Sequence, residues 1–160
     1  MTKSVTIVCL DVGEKRIGVA VGDSAVHIAV PFETVEVDGN ELEAIAEILI
    51  KQNADILVIG YPRNQAGEPT AQTKYVEEFA NKLSDIAPNI TFQDESLTSV
   101  IAEQQLKSYN RPYSKADVDA QAAAIILQDY IEANYAWKTP KNTPAADQRP
   151  TKRSQNTQKT

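Results

Sequence analysis

The chain is short of several residue types, and each shortage removes a class of function. Its single cysteine, Cys9, excludes a disulfide framework, and its place inside an apolar run marks it as a buried, inert thiol. Its single histidine, His27, lies in a strand-entry turn and reads as structural or exposed. With one of each, the chain offers no cysteine- or histidine-based ligand set for a zinc centre or one of similar chemistry. No apolar stretch approaches the roughly 18 residues that a membrane helix needs. The start, Met1-Thr2-Lys3-Ser4, runs straight into a predicted strand, so no signal peptide is expected and the cytoplasm is the expected location. What remains is ordinary: 160 residues, 42% apolar and 24% charged, enough for one domain with a real core.

The net charge of −6 is unevenly spread. From Lys138 onward there are six basic residues against Asp147 alone, a net +5, which leaves −11 on the rest. Beyond Trp137 the sequence is rich in Thr, Pro, Lys, Asn and Gln and nearly devoid of apolar residues, so it is predicted to be disordered. The expected organisation is one folded domain over 1–137 and a disordered basic tail over 138–160. An acidic body with a basic arm points to an anionic partner reached through the arm, although composition alone favours a plain solvated terminus.

Three strands are predicted to open the domain, at 4–11, 16–23 and about 28–37, the third holding Pro31 as an edge strand or bulge would. Leu42, Ile45, Ala46, Leu49 and Ile50 recur at helical spacing and predict a helix over about 41–52. A buried strand at 55–60, a Pro- and Gly-containing loop at 61–69 and a helix over about 70–86 follow. The last strand is predicted at 89–95, a short helix from Thr98 to about Leu106, and a final helix over about 115–133. The order βββαβαβα, with an extra short helix before the last, implies an α/β fold. Right-handed crossovers bring the later strands back beside the first, giving a ribonuclease-H-like mixed sheet of about five strands flanked by helices.

Asp11 ends the run Val5-Thr6-Ile7-Val8-Cys9-Leu10, where a charge is costly to bury unless it meets a cation. Glu95 ends the last strand, but its neighbour Asp94 points to the opposite face, and parity cannot choose between them in a sheet covered on both sides. Asp119 shares a helix face with Ala122, Ala123, Ile126 and Tyr130, the sheet-facing side, whereas Asp117 fits the third position of a capping box begun by Ser114. The plain alternative for Asp119 is a second carboxylate near a helix start. Three acids converging at strand ends would suit Mg²⁺ or Mn²⁺, hard cations that take oxygen ligands and assist phosphoryl displacement.

Four blocks together resemble the YqgF-type family, described as Holliday junction resolvases or pre-16S ribosomal RNA nucleases. They are Leu10-Asp11-Val12-Gly13 through Arg16-Ile17-Gly18-Val19-Ala20-Val21, Gly60-Tyr61-Pro62-Arg63-Asn64 through Gly67, Asp94-Glu95-Ser96-Leu97-Thr98, and Val118-Asp119 through Ala122-Ala123. The resemblance spans about residues 5–133. It implies a metal-dependent nuclease and assigns the family's acids to Asp11, Glu95 and Asp119, as catalytic residues and as the ligands of Mg²⁺ or Mn²⁺. The favoured expectation is 5′-end processing of pre-16S rRNA, with a Holliday junction resolvase-like DNA nuclease as the alternative. Two positions depart from the family pattern. Ser96 stands where the family carries Arg, and Tyr61 and Arg63 replace apolar residues of a Gly-Leu-Pro loop, with Arg63 the candidate to supply the displaced charge.

Arg16, Arg63, Arg111 and Lys115 are the expected nucleic-acid contacts, the last two clustered with Tyr109 and Tyr113. Basic residues interleaved with aromatics suit unpaired nucleic acid, through phosphate contacts and base stacking. Two rivals remain. An actin- or sugar-kinase-type phosphotransferase shares the fold and an Asp-x-Gly hairpin, but closes two domains over its nucleotide, and the length supplies one. A catalytically silent RNA-binding assembly factor would keep the same acids.

Overall fold

The apolar run that ends at Asp11 becomes the central strand of a five-stranded sheet. The computed structural model describes residues 4–64, 66–87, 89–95 and 98–135; Ser96 and the expected tail over 138–160 lie outside the described residues. The elements are β1 (Thr6–Val12), β2 (Arg16–Asp23), β3 (Ile28–Glu36), α1 (Glu41–Lys51), β4 (Ile56–Pro62), α2 (Ala71–Leu83), β5 (Ile90–Glu95), α3 (Thr98–Ser108) and α4 (Lys115–Tyr135). Their order matches the sequence reading; α2 ends at Leu83, three residues short of the expected 86, and β4 runs past its expected end. That strand continues through Tyr61 and Pro62, two residues into the expected loop, because they pair with Asp94 and Glu95 of β5.

Strand order is β3-β2-β1-β4-β5, with β1 antiparallel to β2 and parallel to β4, and β4 parallel to β5. This mixed sheet is the ribonuclease-H-like arrangement. Pro31 sits on edge strand β3 beside a bulge, since Val19 pairs with Glu33 and the next residue, Ala20, pairs with Pro31.

Side chains alternate between two apolar layers. Val8, Leu10 and Val12 join Leu57 and Ile59 in a core with Ile45 and Leu49 of α1 and Val76, Phe79 and Leu83 of α2. Ile7, Cys9 and Val58 face the other way, against Ala123, Ile126, Leu127 and Ile131 of α4. Burying Leu, Ile and Val side chains of this kind contributes about 1.5–3 kcal/mol each. Cys9 is fully buried, as its sequence context predicts.

Two helix starts are tied to particular partners. Thr70 and Thr73 form a reciprocal cap on α2, and the Thr73 hydroxyl also donates to the Pro62 carbonyl. Gln72 donates to the Val12 carbonyl (3.1 Å), so α2 begins against the ends of β1 and β4. At α4, the Ser114 amide donates to Asp117 Oδ2 (2.8 Å) and the Asp117 amide to Ser114 Oγ (3.2 Å), the capping box expected of Asp117. Among the described residues no helix is long and apolar enough to cross a membrane.

Candidate nuclease site

Asp11 keeps phase with Ile7 and Cys9, so its carboxylate belongs to the layer between the sheet and α4. Register resolves the choice between Asp94 and Glu95. Tyr61 pairs with Asp94 and Pro62 with Glu95, while Ile59, two residues before Tyr61, lies in the core under α1 and α2. Asp94 therefore shares the α2 side with Tyr61, and Glu95 shares the α4 side with Asp11. Sequence parity could not make this choice because it lacked the pairing partner.

Two glycines allow the acids to converge. Gly18 pairs with Asp11 across β1 and β2, and a Cβ built on Gly18 would lie 1.9 Å from the Asp119 carbonyl oxygen. Only a residue without a side chain lets the α4 backbone settle there. Gly60 of β4 does the same for Glu95, since a Cβ there would stand 2.6 Å from Glu95 Oε2 and 2.8 Å from Ile126 Cδ1. In the sequence both stand only as members of the family blocks, with no packing role attached to them. The signal was available, because an isolated glycine inside a strand marks close approach of another group.

The three acids are half-buried and crowd negative charge together. Burial, and then the nearby charge of Asp119, raises the Asp11 carboxyl to about 6. Burial, and then the charge of Asp11, raises Glu95 to about 8. Cys9, beneath them, is pushed well up by burial and by the same two acids, which keeps its thiol protonated and inert. Two neighbouring carboxyls cannot both ionise cheaply in such a place, so near neutral pH the pair retains a proton. Glu95 Oε2 is buried with no hydrogen-bond partner among the described residues. An all-oxygen donor set with an orphaned carboxylate oxygen fits a hard divalent cation.

Asp119 stands beside this pair but faces another group. Its Oδ2 accepts from Arg16 Nε at 2.6 Å, with the two side chains 25% and 29% exposed. Accordingly, among the described residues no three acidic, histidine or cysteine side chains are gathered closely enough to hold an ion as they stand. The Arg16–Asp119 pair joins residues 103 positions apart, and no sequence spacing signals it.

The other expected contacts divide between two surfaces. Arg63 donates to Asp94 Oδ1 (3.0 Å) and lies 4.6 Å over the Tyr61 ring, whose hydroxyl donates to Glu77 of α2 (2.6 Å). It is thus on the α2 side of the sheet, away from Asp11 and Glu95. Arg111 lies 5.5 Å over the Tyr109 ring and lines a cavity of about 760 Å³ between β3 and the turn that enters α4. Thr34, Ala116 and Ala120 also line that cavity. Thr34 pairs with Gly18 and donates to the Ala116 carbonyl (2.6 Å), which ties β3 to the start of α4. Lys115 is exposed at the first turn of α4. His27 lies at the β2–β3 turn with φ +58°, and Gln128 of α4 donates to its carbonyl (3.0 Å).

Residues 5–133 match the family model described as RuvX, Holliday junction resolvase. A protein of Chloroflexus aurantiacus named "Putative pre-16S rRNA nuclease" is 39% identical over 132 residues, covering 79% of this chain and 86% of its own. One of the same name from Synechocystis is 38% identical over 137 residues, covering 82% and 90%. Among solved structures, RuvC of T. thermophilus in complex with a Holliday junction substrate aligns with a TM-score of 0.50 at 15% identity, covering 81% of this chain and 94% of that one. The Fowlpox virus resolvase bound to Holliday junction DNA gives 0.50 at 14%, covering 81% and 98%. At such identities these two structures speak to the fold alone. Taken with the sequence match over nearly every described residue, the chain belongs to the RuvX, Holliday junction resolvase, family of phosphodiester-cleaving nucleases.

Proposed function

We propose that this protein is a cytoplasmic, divalent-metal-dependent endonuclease that cleaves structured RNA, with 5′-end processing of pre-16S rRNA as its reaction. The observation that carries this reading is the proton-retaining Asp11–Glu95 pair, with its orphaned Oε2, set beside Asp119 at the carboxyl ends of β1 and β5. Asp11, Glu95 and Asp119 would hold Mg²⁺ or Mn²⁺. Such a cation supplies Lewis acidity, lowering the pKa of water and offsetting charge on the leaving oxygen.

The chain's own residues do the rest. Gly18 and Gly60 keep the α4 face of the sheet bare enough for the acids to meet, and the surrounding apolar layer excludes bulk water. Arg16 offers a guanidinium to a phosphate next to the acids. The groove lined by Thr34, Tyr109, Arg111 and Tyr113 offers an unpaired strand ring faces for stacking and a guanidinium for phosphate, with Lys115 exposed at the adjacent helix start. His27, at the far end of β2 from Arg16, is not used as a general base.

The family description favours a second substrate, branched DNA. Cleavage assays on a pre-16S rRNA 5′ fragment and on a four-way DNA junction, with Mg²⁺, with Mn²⁺ and with chelator, separate the two. Metal-dependent cleavage of the RNA, lost in Asp11→Asn, is expected. Junction cleavage alone would move the protein to DNA, and binding without cleavage of either would make it an assembly factor.

A further inference from the structure

Among the described residues, Asp119 is the only one of the three acids engaged with a cation of the chain itself. Arg16 Nε approaches its Oδ2 to 2.6 Å, and both side chains keep about a quarter of their surface in solvent. Glu95 instead keeps a buried oxygen, Oε2, without a hydrogen-bond partner among the described residues. An arginine already on a carboxylate competes with any divalent cation that needs it. The same arginine, so engaged, has fewer donors left for a phosphate. Arg16 also starts β2 at the turn that follows Asp11, with Gly13 donating to its carbonyl (3.0 Å), so the backbone that carries its guanidinium is fixed beside the acids.

We infer that Arg16 is a positioning residue that latches Asp119 until a nucleic-acid phosphate draws it away, so that phosphate binding and divalent-metal binding promote one another. The latch rests on the metal-dependent nuclease reading and adds to it an order of assembly. A phosphate that takes Arg16 releases Asp119 toward Asp11 and Glu95; a metal that takes Asp119 releases Arg16 toward phosphate. Linkage requires the two effects to be equal in size. In the absence of nucleic acid the chain would hold its metal weakly and hydrolyse little.

Two binding measurements on the full chain test this without turnover. In the first, Mn²⁺ is titrated by electron paramagnetic resonance with no nucleic acid present. Arg16→Gln should bind Mn²⁺ about tenfold more tightly than the native chain, within the usual range for linked sites. Lys15→Gln removes the same charge from the neighbouring exposed position and should leave the affinity unchanged. In the second, a labelled single-stranded RNA is titrated by fluorescence anisotropy in EDTA. Asp119→Asn should bind it several-fold more tightly than the native chain, as the freed Arg16 turns to phosphate, while Asp117→Asn should not. Equal Mn²⁺ affinity in the native chain and Arg16→Gln, or an equal gain in Arg16→Gln and Lys15→Gln, would overturn the latch. If Arg16→Gln fails to fold, the RNA arm decides, and equal RNA affinity in Asp119→Asn and Asp117→Asn overturns it. Mn²⁺ binding by none of the chains removes the metal reading itself, and the latch with it.

Discussion

Gly18 and Asp119 are packed backbone against backbone, so closely that a methyl group on Gly18 would lie 1.9 Å from the Asp119 carbonyl oxygen. That oxygen belongs to the helix main chain and cannot rotate aside, so the helix or the sheet would have to move. Gly18→Ala should therefore lower stability by about 1–3 kcal/mol, as overpacked cores do, and displace Asp119 from Asp11. Urea unfolding gives the first quantity. A near-native midpoint would show that α4 tolerates the shift.

The raised carboxyls tie stability to pH. Asp11 and Glu95 titrate near 4 in the unfolded chain but at about 6 and about 8 in the folded one. A carboxyl raised on folding stabilises the fold below its unfolded pKa, and that contribution is lost as pH rises through the folded value. Without metal, the melting temperature should fall between about pH 4 and pH 8. A change of 1 kcal/mol is worth roughly 4 °C for a domain of this size. Asp11→Asn should flatten the slope, and millimolar Mg²⁺ should restore stability at the alkaline end by mass action. Thermal melts across that range check all three. A melting temperature that climbs toward pH 8 without metal would contradict the buried pair.

Asp117 and Asp119 are two residues apart and do different work. Asp117 closes the capping box with Ser114, so Asp117→Asn should cost about 1 kcal/mol or less and leave cleavage intact. Asp119→Asn should keep the fold, abolish the metal-induced thermal shift and reduce turnover by orders of magnitude. Paired cleavage and melting assays decide the matter, and the reverse pattern would mean that the wrong helix face has been assigned.

Removal of residues 138–160 takes away six basic residues and one acid. We propose that this segment supplies affinity for RNA and takes no part in the chemistry. The truncated chain should bind RNA less tightly, with a shallower dependence on salt and nearly unchanged turnover at saturation. A salt slope equal to that of the full chain would exclude the segment from the interface.

The element order and the sheet-facing side of the last helix were legible in the sequence because both follow from local periodicity. Ile45, Leu49, Val76 and Phe79 recur at helical spacing, and the structure buries all four. Asp119 was readable for the same reason, since it lies in line with Ala123 and Ile126, which pack on the sheet. The choice of Glu95 over Asp94 depended on the register of β5 against β4, a long-range relation that one strand's sequence does not encode. The two destinations of the arginines were hidden in the same way. Arg16 meets Asp119 and Arg63 meets Asp94 through folding alone, and neither partner is near in sequence.

The strand order β3-β2-β1-β4-β5 also bears on when the site comes into being during synthesis. Asp11 is translated early, Glu95 arrives only after the second crossover, and Asp119 needs α4 to dock on Gly18. A nascent chain that has not yet released α4 from the ribosome exit tunnel holds two crowded acids without the third. While still tethered at its place of manufacture the chain would thus lack its third carboxylate, and it would gain the full set only once the last helix has closed over the sheet.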